Sequence, residues 1–138
     1  MIRKKAGSMI NFSTIAVTLG LKGESIYAAS KAGVEGFSRA FAREMADFDI
    51  RVNCVAPWMC NTPMLQEAVK NDPSQLEKVQ AWTPLQRLSE ASESAMAIAF
   101  LCMRASGYIT GHTLPVDGGL LAQGFAGPCV PPPTTTAS

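Results

Sequence analysis

Tyr27 and Lys31 are the residues of this 138-residue sequence whose types and spacing point most directly to chemistry. They lie four apart in Ile26-Tyr27-Ala28-Ala29-Ser30-Lys31-Ala32-Gly33, near the front of the longest helical pattern. Residues four apart on a helix share one face, so a phenol and an ammonium stand side by side. At a separation of about 4 Å and an effective dielectric of about 20, the ammonium favours the phenolate by about 4 kcal/mol. Attraction of that size brings a tyrosine proton into exchange at working pH, which makes the pair a candidate acid/base. Ordinary amphipathic helices also carry this spacing with an exposed lysine, so the surrounding stretches must decide.

Those stretches read as alternating strands and helices. Met9-Ile10-Asn11-Phe12 reads as a buried strand that ends in Ser13-Thr14. In open parallel sheets ligands sit at the carboxyl ends of strands, so the two hydroxyls fall where chemistry is expected, although Ser and Thr also serve local turns. Residues 17–24 read as a glycine-containing loop, and Ser25 as the N-cap of the helix that carries Tyr27. Along it Val34, Phe37, Phe41, Met45 and Phe48 recur at steps of three and four, which predicts an apolar face for a sheet. Ala28, Ala29, Ala32, Gly33, Gly36 and Ala40 make the other side small enough for close approach, within the chain or between subunits.

Residues 50–56 read as a second strand, stopped by Pro57. Thr62-Pro63 starts a helix by the cap and first-turn proline rule. Residues 64–88, interrupted at Asn71-Asp72-Pro73 and Thr83-Pro84, read as one or two short helices over the site. Met64, Leu65, Val69, Val79 and Trp82 form their apolar side. Ser89 caps a further helix in which Ala95, Ile98, Ala99 and Cys102 share a face, ending near Ser106-Gly107. Thr113-Leu114-Pro115-Val116 is a last strand, turned by Asp117-Gly118-Gly119. The lone His112 reads as structural, since a tyrosine already supplies proton chemistry. From Gly124 onward the runs of proline and threonine read as a disordered tail, which divides the chain into a domain at 1–122 and a tail at 123–138.

Composition narrows the function classes. A hydrophobic content of 47% with 17% charged residues is that of a folded domain, and a net charge of +1 gives no reason to expect nucleic acid. Cys54, Cys60, Cys102 and Cys129 show neither a disulfide framework nor zinc spacing, and reduced thiols fit a cytoplasmic location. The basic start at Met1 is followed by no apolar run, and no window approaches a membrane span, so no membrane partner is expected.

Tyr27-Ala-Ala-Ser-Lys31-Ala-Gly, preceded by Gly7-Ser-Met-Ile-Asn-Phe-Ser-Thr14 and followed by Arg51-Val-Asn-Cys-Val-Ala-Pro57, resembles the short-chain dehydrogenase/reductase family. Gly107-Tyr-Ile-Thr-Gly-His-Thr-Leu-Pro-Val-Asp-Gly-Gly119 resembles its last strand, so the likeness covers roughly residues 1–122 in the right order. The resemblance implies an α/β fold, the C-terminal half of a doubly wound parallel sheet of Rossmann type. It also implies transfer of a hydride between NADP or NAD and a ketone or alcohol, with Tyr27 as acid/base and Lys31 both assisting it and holding the cofactor ribose. The family places a serine about thirteen residues before the tyrosine to bind the substrate carbonyl; that count lands on Thr14, with Ser13 in reserve. Its Pro-Gly-x-x-x-Thr pattern is matched here by Pro57 and Thr62, which with the backbone near Cys60 would hold the nicotinamide carboxamide. Trp58 stands where the family has glycine; an indole there can alternatively wall a pocket for a small apolar ligand. The region 64–88 corresponds to the family's substrate lid, and the helix of Tyr27 to its subunit interface, which implies a homo-oligomer or association with a full-length relative. Leu21-Lys-Gly and Tyr108-Ile-Thr-Gly-His resemble carbonyl and 3-oxoacyl-carrier-protein reductases, a pointer to NADPH.

The glycine-rich turn that meets a dinucleotide's pyrophosphate is not among these residues, and neither is the family's relay asparagine. Met1 therefore reads as an internal residue of a longer ancestor, and the Met9 strand as one whose outer edge lacks its neighbour. Two expectations follow. The chain is an oxidoreductase working through Tyr27, or it is a truncated, non-catalytic remnant that associates with a full-length relative.

Overall fold

The computed structural model describes residues 1–70 and 72–123. In chain order the elements are β1 (Gly7–Phe12), α1 (Ala16–Leu19), α2 (Ser25–Met45), β2 (Ile50–Pro57), β3 (Cys60–Asn61), α3 (Pro63–Ala68), α4 (Ser74–Trp82), β4 (Ser89–Glu90), α5 (Ala91–Cys102) and β5 (Thr113–Val116). Three strands form one parallel sheet in the order β1-β2-β5, with Gly7 opposite Ile50 and Phe12 opposite Val55, then Cys54 opposite Thr113 and Pro57 opposite Val116. Parallel neighbours require a crossover, and α2 and α5 supply the helices of the two crossovers. This is the α/β arrangement expected for part of a doubly wound sheet.

The alternation of β2 assigns the helices to opposite faces. Cys54 reaches α2 through its Sγ, 3.1 Å from the Ser38 hydroxyl, whereas Arg51 and Asn53 extend to the carbonyls of Leu101 and Ile109 at and beyond the end of α5. Residues of opposite parity leave opposite sides of a strand, so the sheet is sandwiched. Val52, Cys54, Val55 and Ala56 are buried accordingly. At the carboxyl end of β2 a small apolar cluster of Ile15, Ala56 and Leu120 is backed by Leu19, Trp58 and Leu121.

Several boundaries agree with the sequence pattern. Thr62 caps α3 by accepting the Leu65 N–H at 3.3 Å, with Pro63 in the first turn, and β5 covers Thr113–Val116. Others shift. The loop expected at 17–24 contains α1, whose start is steadied by the Thr14 hydroxyl accepting the Ala16 N–H and whose end is Gly20 at φ 66. The cap of α2 is Glu24, one residue before Ser25, and its side chain makes no capping bond. Ser89 does not cap α5; it belongs to β4, which pairs with β3, and the cap is Glu90 in a reciprocal box with Glu93. The deepest residues of α5 are Ser94 and Leu101, while Ala95, Ala99 and Cys102 are exposed. A 3-10 turn spans Leu120–Gln123. Asn71, Cys129 and the tail of 124–138 lie outside the described residues.

α2 itself departs from its hydropathy pattern. Phe37, expected to face the sheet, is 56% exposed and stacks on Phe41 with ring centroids 5.0 Å apart. The residues pressed deepest against the sheet are Glu35, Ser38 and Ala42. β1 pairs with β2 on one side and, among the described residues, with no strand on the other.

Candidate active site

The end of β1 is bonded to α2 residue by residue. Asn11 donates from Nδ2 to the Ser38 hydroxyl at 2.8 Å, the Phe12 carbonyl accepts from Lys31 Nζ at 2.9 Å, and the Ser13 hydroxyl donates to Glu35 Oε1 at 2.6 Å. Lys31, Glu35 and Ser38 are spaced by four and three, so one stripe of the helix meets three successive residues, Asn11 and Phe12 of the strand and Ser13 just after it. Both Ser13 and Glu35 are buried, and Arg39 pairs with the second Glu35 oxygen at 3.7 Å. These bonds fix the rotation and depth of the helix against the strand end. Glu35 and Ser38 were not among the residues singled out by sequence. Their signal was position, since both fall on the helical stripe that continues from Tyr27 and Lys31.

Tyr27 is half exposed, and the Lys31 ammonium lies 5.9 Å from the centroid of its ring, within cation–π range. The expected shared face is therefore present. An ammonium has three donors, and the Phe12 carbonyl takes one of them. Thr14, half-buried, follows the strand end directly.

A cavity of about 480 Å³ opens here. Ser13, Thr14, Tyr27, Lys31, Pro57, Cys60 and Thr62 all line it, together with Phe12, Leu21, Trp58, Met64 and Leu65. All the site residues expected from sequence thus meet at the carboxyl end of β1 and β2, around one mainly apolar cavity. Ser13 borders the cavity while its hydroxyl proton is given to Glu35. The Thr62 hydroxyl accepts the Leu65 N–H, and a hydroxyl that accepts still has a proton to donate. Cys60 is held by Ser89, whose hydroxyl donates to its sulfur at 3.0 Å. His112 does not line the cavity; its main chain bonds Asn53 and Cys54, and its imidazole is exposed.

A second cavity, of about 290 Å³, lies beyond Trp58 and Met59, bordered by Thr83, Leu85, Arg87, Glu93 and Val116. At its rim Arg87 grips Glu93 with two bonds of 2.7 Å. The guanidinium, helped by the Glu90 N–H, draws the Glu93 carboxyl down from 4.5 to about 2. The pair joins the segment after α4 to the first turn of α5.

Residues 1–121 match the family model described as enoyl-(acyl carrier protein) reductase. The chain belongs to the short-chain dehydrogenase/reductase family. It is 42% identical over 121 residues to a chloroplastic tropinone reductase homologue of Arabidopsis thaliana, covering 88% of this chain and 37% of that protein. It is 44% identical over 120 residues to the human 3-oxoacyl-[acyl-carrier-protein] reductase, covering 87% of this chain and 47% of the relative. Among solved structures, a short-chain oxidoreductase from Burkholderia thailandensis superposes with a TM-score of 0.83 at 33% identity, over 88% of this chain and 48% of that one. ElxO with NADP bound superposes at 0.82 and 32% identity, over 89% and 50%. The chain spans about half or less of the length of these relatives. No helix among the described residues is long and apolar enough to cross a membrane.

Proposed function

We propose that this short-chain dehydrogenase chain carries the acid/base half of an NAD(P)-dependent oxidoreductase that interconverts a ketone and an alcohol in the cytoplasm. The observation that carries the reading is the meeting of Tyr27, Lys31 and Thr14 on one cavity at the strand ends. The donor set fits a nicotinamide riboside: Lys31 keeps two N–H donors beyond its bond to Phe12, and Thr62 keeps a hydroxyl proton. Tyr27 and Lys31 would hold the ribose, and Pro57, the backbone at Cys60 and Thr62 the carboxamide. When bound, the reduced cofactor supplies hydride to the carbonyl carbon.

The chain's own residues handle the proton and the oxygen. Tyr27 Oη gives its proton to the substrate oxygen during reduction and takes one back from the alcohol in the reverse direction. Lys31 places its ammonium on the same helix face, 5.9 Å from the centroid of that phenol ring. Thr14, rather than Ser13 whose proton serves Glu35, donates to the carbonyl oxygen and orients it. Its methyl narrows the approach relative to serine. Phe12, Leu21, Met64 and Leu65 supply apolar walls, which suits a compact ketone. A relative solved with NADP bound supports NADPH over NADH.

Turnover of a ketone with NADPH tests this reading. Tyr27→Phe should lower it by about 10²- to 10⁴-fold while weakening NADPH binding far less, since Lys31 and Thr62 keep their donors; unchanged turnover contradicts the assignment.

The open edge of β1 favours a second reading, in which the chain associates with a copy of itself or with a full-length relative. Phe12 at the strand's end is 52% exposed and adds apolar area there. Light scattering should then find a species larger than a monomer, and a stable monodisperse monomer counts against it.

A further inference from the structure

Trp58 is held more firmly than a side chain that merely fills space. Its own N–H donates to the Val116 carbonyl at 3.0 Å, so the main chain is still tied to the end of β5 where the indole departs. The ring packs on the cluster of Ile15, Ala56 and Leu120. At its far end Nε1 donates to the Thr83 hydroxyl at 3.1 Å, and that hydroxyl, 2% exposed as a residue, donates onward to the Val79 carbonyl of α4 at 2.8 Å. A half-buried indole that packs on an apolar cluster and has its N–H satisfied is held in one orientation.

That orientation matters because Trp58 and Met59 are the residues common to both cavities. On one side lies the space of about 480 Å³ with Tyr27; on the other, the space of about 290 Å³ with Leu85 and Val116. Met59 is flexible and yields, whereas the clamped indole does not. We propose that Trp58 is the specificity-determining residue of the site: standing between the two cavities, it closes the larger toward the smaller and limits the substrate to a compact ketone, stopping an extended acyl chain at the indole. This rests on the reading of the larger cavity as a ketone site.

Straight-chain 2-ketones of increasing length test the limit. In the 138-residue chain carrying Trp82→Phe, Trp58 is the one remaining indole, and its emission reports contact. Affinity should rise with each methylene and then stop rising at one length, at which the emission shifts. In Trp58→Gly, followed by thermal shift, the limit should move to longer ketones, with binding about tenfold tighter for every two methylenes admitted beyond it. Trp58→Leu keeps apolar packing on Ile15 and Leu120, guards against a glycine variant that fails to fold, and should move the limit part of the way. The same limit in every protein, an affinity that climbs without limit in the native chain, or no saturable ketone binding overturns the proposal. Failure of the Tyr27 chemistry is read separately, because Tyr27→Phe changes turnover and leaves the length limit where it was.

Discussion

On the side of α2 that meets the sheet, Glu35, Ser38 and Ala42 are the deepest residues; on the side turned away, Ile26 is 86% exposed and Phe37 56%, among Ala29, Gly33, Gly36 and Ala40. Hydropathy alone would assign them the other way round. The inner polar groups are tolerable because each is bonded: Glu35 to Ser13, Ser38 to Asn11 and Cys54, Lys31 to the Phe12 carbonyl. Apolar packing would let the helix slide or rotate with little penalty, whereas three directional bonds to consecutive residues at the strand end admit one register. The polar face therefore positions Tyr27 and Lys31 against Thr14. The outer face, small and apolar, has room for a second surface.

Breaking the inner face should cost the most. Glu35→Leu strands the buried Ser13 hydroxyl and should lower unfolding stability by about 2–3 kcal/mol in urea titration, with Glu35→Gln, which can still accept from Ser13, retaining most of it. Ser38→Ala removes the acceptor of Asn11 and should cost about 1–2 kcal/mol by the same measurement. Equal stability of all three with the native chain would remove the polar stripe from the account. On the outer face, Phe37→Ser should lower monomer stability by only about 1 kcal/mol, through the lost stacking on Phe41, while reducing any self-association seen by light scattering.

The smallest effect concerns pH, at the Arg87–Glu93 pair. Glu93 has its folded pKa depressed, chiefly by the hydrogen bonds from Arg87, from 4.5 to about 2. The unfolded chain therefore binds the proton first on acidification; the pair's contribution is complete above 4.5 and disappears as pH falls through about 2. Arg87→Gln should flatten the decline of Tm between about pH 5 and about pH 2, and only slightly, because both side chains face solvent. An unaltered decline would show that the pair does not couple to folding.

How far the sequence could be read follows from which forces leave local marks. Thr62-Pro63 carries its cap and its first-turn proline in adjacent residues, and the bond from Leu65 N–H to Thr62 is local, so α3 was legible. The Tyr27 and Lys31 face follows from helical period. The small α1 was missed because four residues leave no periodicity, and its ends depend on Thr14 and Gly20. The misplaced cap of α5 has a tertiary cause: Ser89 is claimed by the Met59 carbonyl and the Cys60 sulfur in β3, thirty residues or so away, leaving Glu90 to cap. Trp58 was legible only as an anomaly, since nothing local announces that Thr83 takes its N–H. Buried Glu35 was the least legible, because a glutamate four residues after Lys31 looks like one more solvated charge until the strand end is brought to it.

A thermal-shift titration of the 138-residue chain and of Lys31→Met with NADPH and NADH tests the central claim, that this cavity is a nicotinamide site organised by Tyr27 and Lys31. Saturable stabilisation of the native chain is expected, about 2.7 kcal/mol when free nucleotide reaches one hundred times Kd, strongest with NADPH and much weakened in Lys31→Met. A folded native chain whose Tm responds to neither nucleotide, or a Lys31→Met variant that responds as the native does, would contradict it.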